Sequence, residues 1–367
     1  MSDLPEPDRV EGAPHPRETA ALFGHAGAEA QLLDGLAHGR LHHGWLITGP
    51  RGVGKATLAW RFARAALAMP PPGGMFAPDP PASLDVPADH PVARRILAGS
   101  EPGLMAIRRG HDDKTGRLRA QITVDEVRRL RDFFGLSAAE GGRRVVIVDA
   151  ADELNANAAN AILKLLEEPP EGALMMLVAH RPGALLPTIR SRCRVLRLNP
   201  LGAEDLAQAL TPALGAPPDQ PEALAALAGG SVGEAVRIVN GEGLALYARL
   251  IGLLAGLPRL DRKALHQLAD EMAGRGAEPR LDLFLRLTEL ALARLARAAA
   301  TGAALPEAAP GEAGLAARLG LPAPVWAALS GELPARVRAG RAVNLDPAAL
   351  VVDMCLRMER AARGGAG

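Results

Sequence analysis

The chain has only two cysteines, Cys193 and Cys355, and two thiols cannot build a disulfide framework or a four-cysteine zinc site. No metal site is expected, and the scarcity fits a reducing compartment, so a cytoplasmic location is expected too. Aromatic residues supply 3% of the sequence, too few for a platform that stacks the bases of a single strand. Positive charge barely exceeds negative, with a formal net charge of +1, so any contact with nucleic acid would have to come from a local patch. Together these shortages argue against an independent DNA-binding module. No uninterrupted apolar run approaches the ~20 residues of a membrane helix. Met1 to Pro16 is polar, acidic and proline-punctuated, without the basic flank and apolar core of a signal peptide, and reads as a disordered leader over 1–20. No membrane contact is expected.

Apolar residues are abundant, at 48% of 367 positions, and the length favours two or three domains. With so few rings, the cores must be built from Leu, Ala and Val, and such a chain leans helical. Trp45-Leu46-Ile47 reads as a short strand, preceded by a helix over Glu18 to Gly39 with apolar positions at Leu22, Phe23, Ala30, Leu33 and Leu36. His42 and His43 lie between them, and as neighbours along an extended segment they should point apart rather than share a metal. After the strand comes Gly49-Pro50-Arg51-Gly52-Val53-Gly54-Lys55, opening a helix from Thr57 to Ala68. Strand, glycine-rich turn and helix N-terminus form the setting in which backbone N–H groups wrap a phosphate and a lysine adds a point charge.

Residues 69–91 are rich in Pro, Gly and Ala and read as a flexible insertion. Thr123-Val124-Asp125-Glu126 has the form of a capping box, starting a helix whose Arg128, Arg129 and Arg131 make either a partner-binding stripe or a solvated face. Val145-Val146-Ile147-Val148-Asp149 is a β-branched run closed by a carboxylate, the pattern of a buried parallel strand ending at a functional edge. Leu154, Ala158, Ile162, Leu165 and Leu166 recur at helical spacing until Glu167-Glu168-Pro169-Pro170, where the prolines stop the helix. A second buried strand, Leu174 to Val178, leads on to Arg190-Ser191-Arg192-Cys193, where Cys193 reads as a small buried hydrophobe.

GPRGVGKAT, VVIVDA, NAANAILKLLEEPP and SRC, in this order, resemble the AAA+ clamp-loader subunits of bacterial replicative DNA polymerase, above all the delta-prime family. The resemblance covers roughly residues 20 to 200. It implies an α/β P-loop AAA+ domain, a parallel sheet with flanking helices, over 21–199. A small helical lid would follow over 200–241, and a C-terminal helical collar over 242–367 through which subunits form a ring of five. Gly49, Gly52, Gly54, Lys55 and Asp149 would line a nucleotide site, and Arg192 would be an arginine finger acting on ATP held by a neighbour.

The same resemblance exposes departures. Where a Mg²⁺-binding hydroxyl should follow the lysine stands Ala56. Thr57 lies one position late, turned by ~100° on a helix. Where hydrolytic relatives carry a glutamate after the strand aspartate stands Ala150, and where they carry a sensor arginine stands Gly233. The four-cysteine zinc module that many relatives carry near the insertion has no counterpart among these residues. The expectation is a non-catalytic subunit that requires no cofactor of its own. It would work with ATPase subunits and delta in a hetero-pentamer, and meet the sliding clamp and primer-template DNA through that complex. The intact loop leaves residual ATP or ADP binding open. The alternative is a catalytically active AAA+ ATPase subunit.

Helices are expected at Ala203 to Leu210, Pro221 to Leu227 and from about Gly230. Further on, Leu281, Leu285, Thr288, Leu292 and Leu295 mark one apolar face. Ala298 to Gly314 reads as a loose connector before two closing helices, Trp326 to Arg341 and Asn344 to Arg363.

Overall fold

The computed structural model describes residues 6–7, 9–69, 81–112, 114–135 and 142–364. Residues 70–80 of the expected insertion therefore lie outside the described residues. The chain divides into two units, 1–216 with 231–233, and 217–230 with 234–367. The division runs through the stretch expected as a lid.

The first unit is built on one parallel sheet. Its strands are β1 (Gly44–Thr48), β2 (Leu104–Ile107), β3 (Arg144–Asp149), β4 (Ala173–Ala179) and β5 (Arg194–Arg197), hydrogen-bonded in the order β2-β3-β4-β1-β5. Among the described residues its helices are α1 (Ala26–Ala37), α2 (Lys55–Ala68), α3 (Pro91–Ala98), α4 (Val124–Gly135), α5 (Ala156–Glu167), α6 (Pro187–Ser191) and α7 (Ala203–Leu214). Successive strand side chains face opposite ways. Trp45, Ile47, Val145, Ile147, Met176 and Val178 pack with Leu58, Phe62 and Leu32 on one face. Leu46, Val146, Val148, Met175 and Leu177 pack with Leu130, Ile162 and Ile189 on the other. Burial on both faces explains why the central strands read as unbroken apolar runs.

Several details differ from the sequence expectation. Strands β2 and β5 carry no clear signal: each has four residues, and of β5 only Leu196 is buried. The first helix starts at Ala26, because Gly24 adopts a left-handed φ of 72° and leaves Leu22 and Phe23 in an extended approach. The rings of His42 and His43 stack at 4.5 Å instead of diverging, since both residues precede the strand. Helix α4 begins where the capping-box pattern placed it, yet the buried Thr123 hydroxyl has no hydrogen-bond partner. Arg128 and Arg129 pair with Asp125 and Glu126 one turn back, a solvated arrangement.

The leader is not disordered where it is described. His15 is completely buried, its ring edge-on to Trp60 with centroids 5.7 Å apart. Arg64 of α2 donates to the carbonyl of Arg17 at 2.7 Å, and Arg61 donates to that of Ala20. Glu6 pairs with Arg17 and Arg108. Arg61 and Arg64 are themselves buried, and a buried guanidinium must find acceptors. The leader supplies one to each, and Arg61 also pairs with Glu29 and Asp85.

Among the described residues, the second unit is helical: α8 (Pro221–Ala228), α9 (Val232–Asn240) from Glu234 onward, α10 (Gly243–Ala255), α11 (Arg262–Met272), α12 (Glu278–Thr301), α13 (Leu315–Leu319), α14 (Ala323–Ala342) and α15 (Pro347–Gly364). Helix α12 packs against α10 and α14, and α11 against α15, around Phe284, Leu292, Trp326 and Val351. No single described helix is long and apolar enough to cross a membrane. The connector after α12 is pinned rather than loose. Glu312, buried, accepts from Arg294 Nε at 2.6 Å, from the Tyr247 hydroxyl and from the Ala308 amide, while Arg294 also donates to the carbonyls of Ala226 and Pro306.

Removing one partner of a buried ion pair strands the other charge, at a typical cost of about 3–5 kcal/mol. Glu312→Ala should therefore lower the unfolding free energy by about that amount in a urea titration of the full chain. A loss below about 1 kcal/mol would show that the triad carries little.

Candidate functional site

In an open parallel sheet, ligands bind beyond the carboxyl ends of the strands, where successive connections leave in opposite directions. Here β1 is flanked by β4 and β5, and β3 lies beyond β4. Their carboxyl ends carry the loop from Gly49 to Lys55, His180 and Asp149. Three strands thus bring to one edge groups that are far apart in sequence.

The loop turns through left-handed backbone at Gly49, Gly52 and Gly54, with φ of 146°, 75° and 101°. Gly52 has a second reason to be glycine. A Cβ built there would stand 2.1 Å from Ser231 Oγ and 3.0 Å from the Gly233 amide nitrogen. Residues 231–233, which belong to the first unit, press directly on the loop, and the Val232 amide donates to the Gly52 carbonyl at 2.8 Å. Val10 of the leader stands 3.3 Å from where a Cβ on Gly233 would be. At Val53, the carbonyl bonds to His25 Nε2 at 2.7 Å.

Lys55 opens α2 and is 3% exposed. Its ammonium donates back to the loop, to the Gly49 carbonyl at 2.8 Å and to that of Pro50. Burial lowers its pKa to about 8, against the attraction of Asp149 and Asp152. His180 is a site residue that the sequence reading missed. Its Nδ1 is buried without a hydrogen-bond partner, and burial together with the charges of Lys55 and Arg51 lowers the imidazole to about 4, so it is neutral at pH 7. The signal was present: His180 follows the apolar run of β4, at the edge where ligands gather.

The three departures occupy these positions in space. Ala56 lies in the first turn of α2, Ala150 is buried at the end of β3, and Gly233 faces the loop. Asp152 and Glu153 follow Ala150 in a short 3₁₀ turn, and both are engaged elsewhere. The Asp152 carboxylate, with its side chain fully buried, accepts from the His180 amide at 2.8 Å and the Arg181 amide at 3.2 Å. Burial opposes its charge, yet the His180 amide and, to a lesser degree, the Arg181 side chain help hold the carboxyl below its usual range. Glu153 pairs with Arg51 at 2.8 Å and Arg109 at 2.9 Å. Among the described residues no group of three or more His, Cys, Asp or Glu is placed to hold a metal.

Arg192 lies apart from this cluster, at the end of α6, with its side chain 38% exposed. Its guanidinium pairs with Glu167 at 2.9 Å and donates to the Thr188 carbonyl at 3.1 Å. Beside it, burial raises the Cys193 thiol to about 11, so it is not a thiolate at neutral pH.

The depressed pKa of Lys55 has a measurable consequence. Keeping the ammonium charged costs folded-state stability below about pH 8, and the cost is relieved as pH rises toward 10.5, where the unfolded chain holds the extra proton. Lys55→Met should be more stable than the parent at pH 7 by about 1–3 kcal/mol in urea unfolding, with the gap narrowing near pH 9.5. A gap that stays constant with pH would contradict the shift.

Residues 24–202 match the family model described as DNA polymerase III, delta subunit. The chain is 37% identical over 207 residues to the DNA polymerase III subunit delta' of Pseudomonas aeruginosa, covering 55% of this chain and 57% of that one. With the Bacillus subtilis delta' subunit it shares 31% identity over 170 residues, 46% of each chain. It is 33% identical over 187 residues to the gamma/tau subunit of Mycobacterium bovis, covering 48% of this chain and 28% of that one. The chain thus spans about half the length of the delta' relatives it matches. On its parallel P-loop sheet, its ordered motifs and these likenesses, the region over residues 24–202 is similar to DNA polymerase III delta' subunits.

Proposed function

We propose that this chain is a non-hydrolysing clamp-loader subunit that serves a neighbour's ATP rather than its own. In this reading it joins ATPase subunits and delta in a hetero-pentamer through its C-terminal helices, and helps hold a sliding clamp open for loading onto primer-template DNA. Arg192 acts as a finger on the triphosphate of an adjacent subunit. A guanidinium near a transferring γ-phosphoryl is worth ~10³–10⁵ in rate.

One observation carries the reading. At the end of β3, where an attacking water would need a carboxylate within hydrogen-bond reach, stands the methyl group of buried Ala150. The two acids that follow are tied up, Asp152 by backbone amides and Glu153 by Arg51 and Arg109. Ala56 and Gly233 remove two further polar contacts from the same place. Gly49, Gly52, Gly54, Lys55 and Asp149 would then form a degenerate nucleotide site that needs no cofactor, while its backbone cradle leaves room for ADP or ATP as a passive ligand. The exposure of Arg192, on a corner remote from the loop's own lysine, fits a residue that works outward.

A second reading, an active ATPase subunit, draws on the intact GPRGVGK loop and on the likeness to gamma/tau subunits. The two separate cleanly. Purified alone with ATP and Mg²⁺, the chain should turn over nothing above background, whereas a metal-dependent kcat near ~1 s⁻¹ would favour the second reading. Arg192→Ala should leave the melting temperature unchanged yet abolish the share of a reconstituted loader's ATPase activity that comes from the site it faces. Unaltered activity would remove the finger assignment.

A further inference from the structure

We infer that Glu167 is a positioning residue that holds Arg192 folded back, so that the guanidinium reaches a neighbour's triphosphate only after this carboxylate releases it. The inference rests on the finger role proposed above and concerns how that finger is regulated. Two contacts retract the side chain along its own chain: Nη2 to Glu167 Oε1 at 2.9 Å, and Nη1 to the Thr188 carbonyl at 3.1 Å, four residues back. The backbone beneath is fixed. The Arg192 amide donates to Ile189 and the Cys193 amide to Arg190. Against the start of β1, the Arg192 carbonyl and Cys193 Sγ each stand 3.4 Å from where a Cβ on Gly44 would be. Only the side chain is left to swing.

Glu167 is an unexpected residue for its place. It is the last residue of α5, and a carboxylate at a helix C-terminus meets the negative end of the helix dipole, which disfavours it. Local helix stability therefore gives no reason for an acid here, whereas the pairing with Arg192 does. Phosphate oxygens and the Glu167 carboxylate ask for the same guanidinium donors, and two anions crowded on one cation repel each other. A triphosphate must displace the carboxylate. Both partners are part-exposed, at 38% and 42%, so water screens the pair and the latch biases the arginine without locking it.

Glu167→Gln keeps a hydrogen-bond acceptor but removes the charge, which enlarges the extended population of Arg192. The reading predicts a split between apparent affinity and turnover. When the full-length variant is titrated into a loader reconstituted from its other subunits, the concentration giving half-maximal ATPase stimulation should fall by about two- to fivefold. Turnover at saturation should stay the same, as should the melting temperature. Glu167→Ala should behave likewise, and Glu167→Gln combined with Arg192→Ala should match Arg192→Ala alone. If Arg192→Ala depresses activity while both Glu167 variants titrate like the parent, the latch is refuted and the finger stands. If the Glu167 effect survives without Arg192, the latch is refuted as well. If Arg192→Ala changes nothing, the finger falls and the latch with it.

Discussion

A buried ammonium sets the terms for the whole first unit. Lys55 sits at the head of α2 with almost no access to water, so its charge must be met by oxygen atoms. In a phosphate loop those oxygens can belong to a ligand or to the loop, and here the carbonyls of Gly49 and Pro50 take the part. That arrangement requires the loop to curl tightly, which requires left-handed glycines, which in turn allows residues 231–233 to close against Gly52. The sheet order then puts His180 and Asp149 on the same edge.

At that edge the two acids that follow Ala150 are already engaged. A hydrolytic site must keep one carboxylate available to water, and the nearby acids are spent on fastening the backbone and the loop's own arginine. Neutral His180 adds no charge at pH 7. In contrast, the corner at Arg192 keeps its side chain near solvent, with an exposed acid as its ion-pair partner. The two regions therefore differ in kind: one is satisfied from within, and the other is available to something outside.

Much of this was legible from local pattern. The glycine spacing with its lysine, the β-branched run ending in Asp149 and the proline stop after Glu168 each carry their structural meaning within a few residues, and the structure forms the expected elements there. What escaped depended on distant partners or on very short elements. Strand β5 presents Arg-Val-Leu-Arg, which reads as surface because three of its four residues are. The connector before α13 looked loose because Ala, Gly and Pro dominate it, while the acid that fastens it, Glu312, meets an arginine 18 residues away in the sequence. His180 was overlooked because one histidine after an apolar run has no periodicity to betray it. The roles of Arg192 and of the phosphate loop rest on motif context and stay proposals.

The leader offers a last consequence, for the order of events during synthesis. Residues 6–20 leave the ribosome before their partners: Arg61 and Arg64 follow by some 40 to 50 positions, and Arg108 by about a hundred. Until α2 has formed, His15 has no ring to lie against, and Glu6 waits longer still for Arg108. At synthesis rates of roughly 5–20 residues per second, those distances amount to seconds of waiting. Residues 9–20 therefore wait for α2, and their docking reports that the helix behind the phosphate loop is already built.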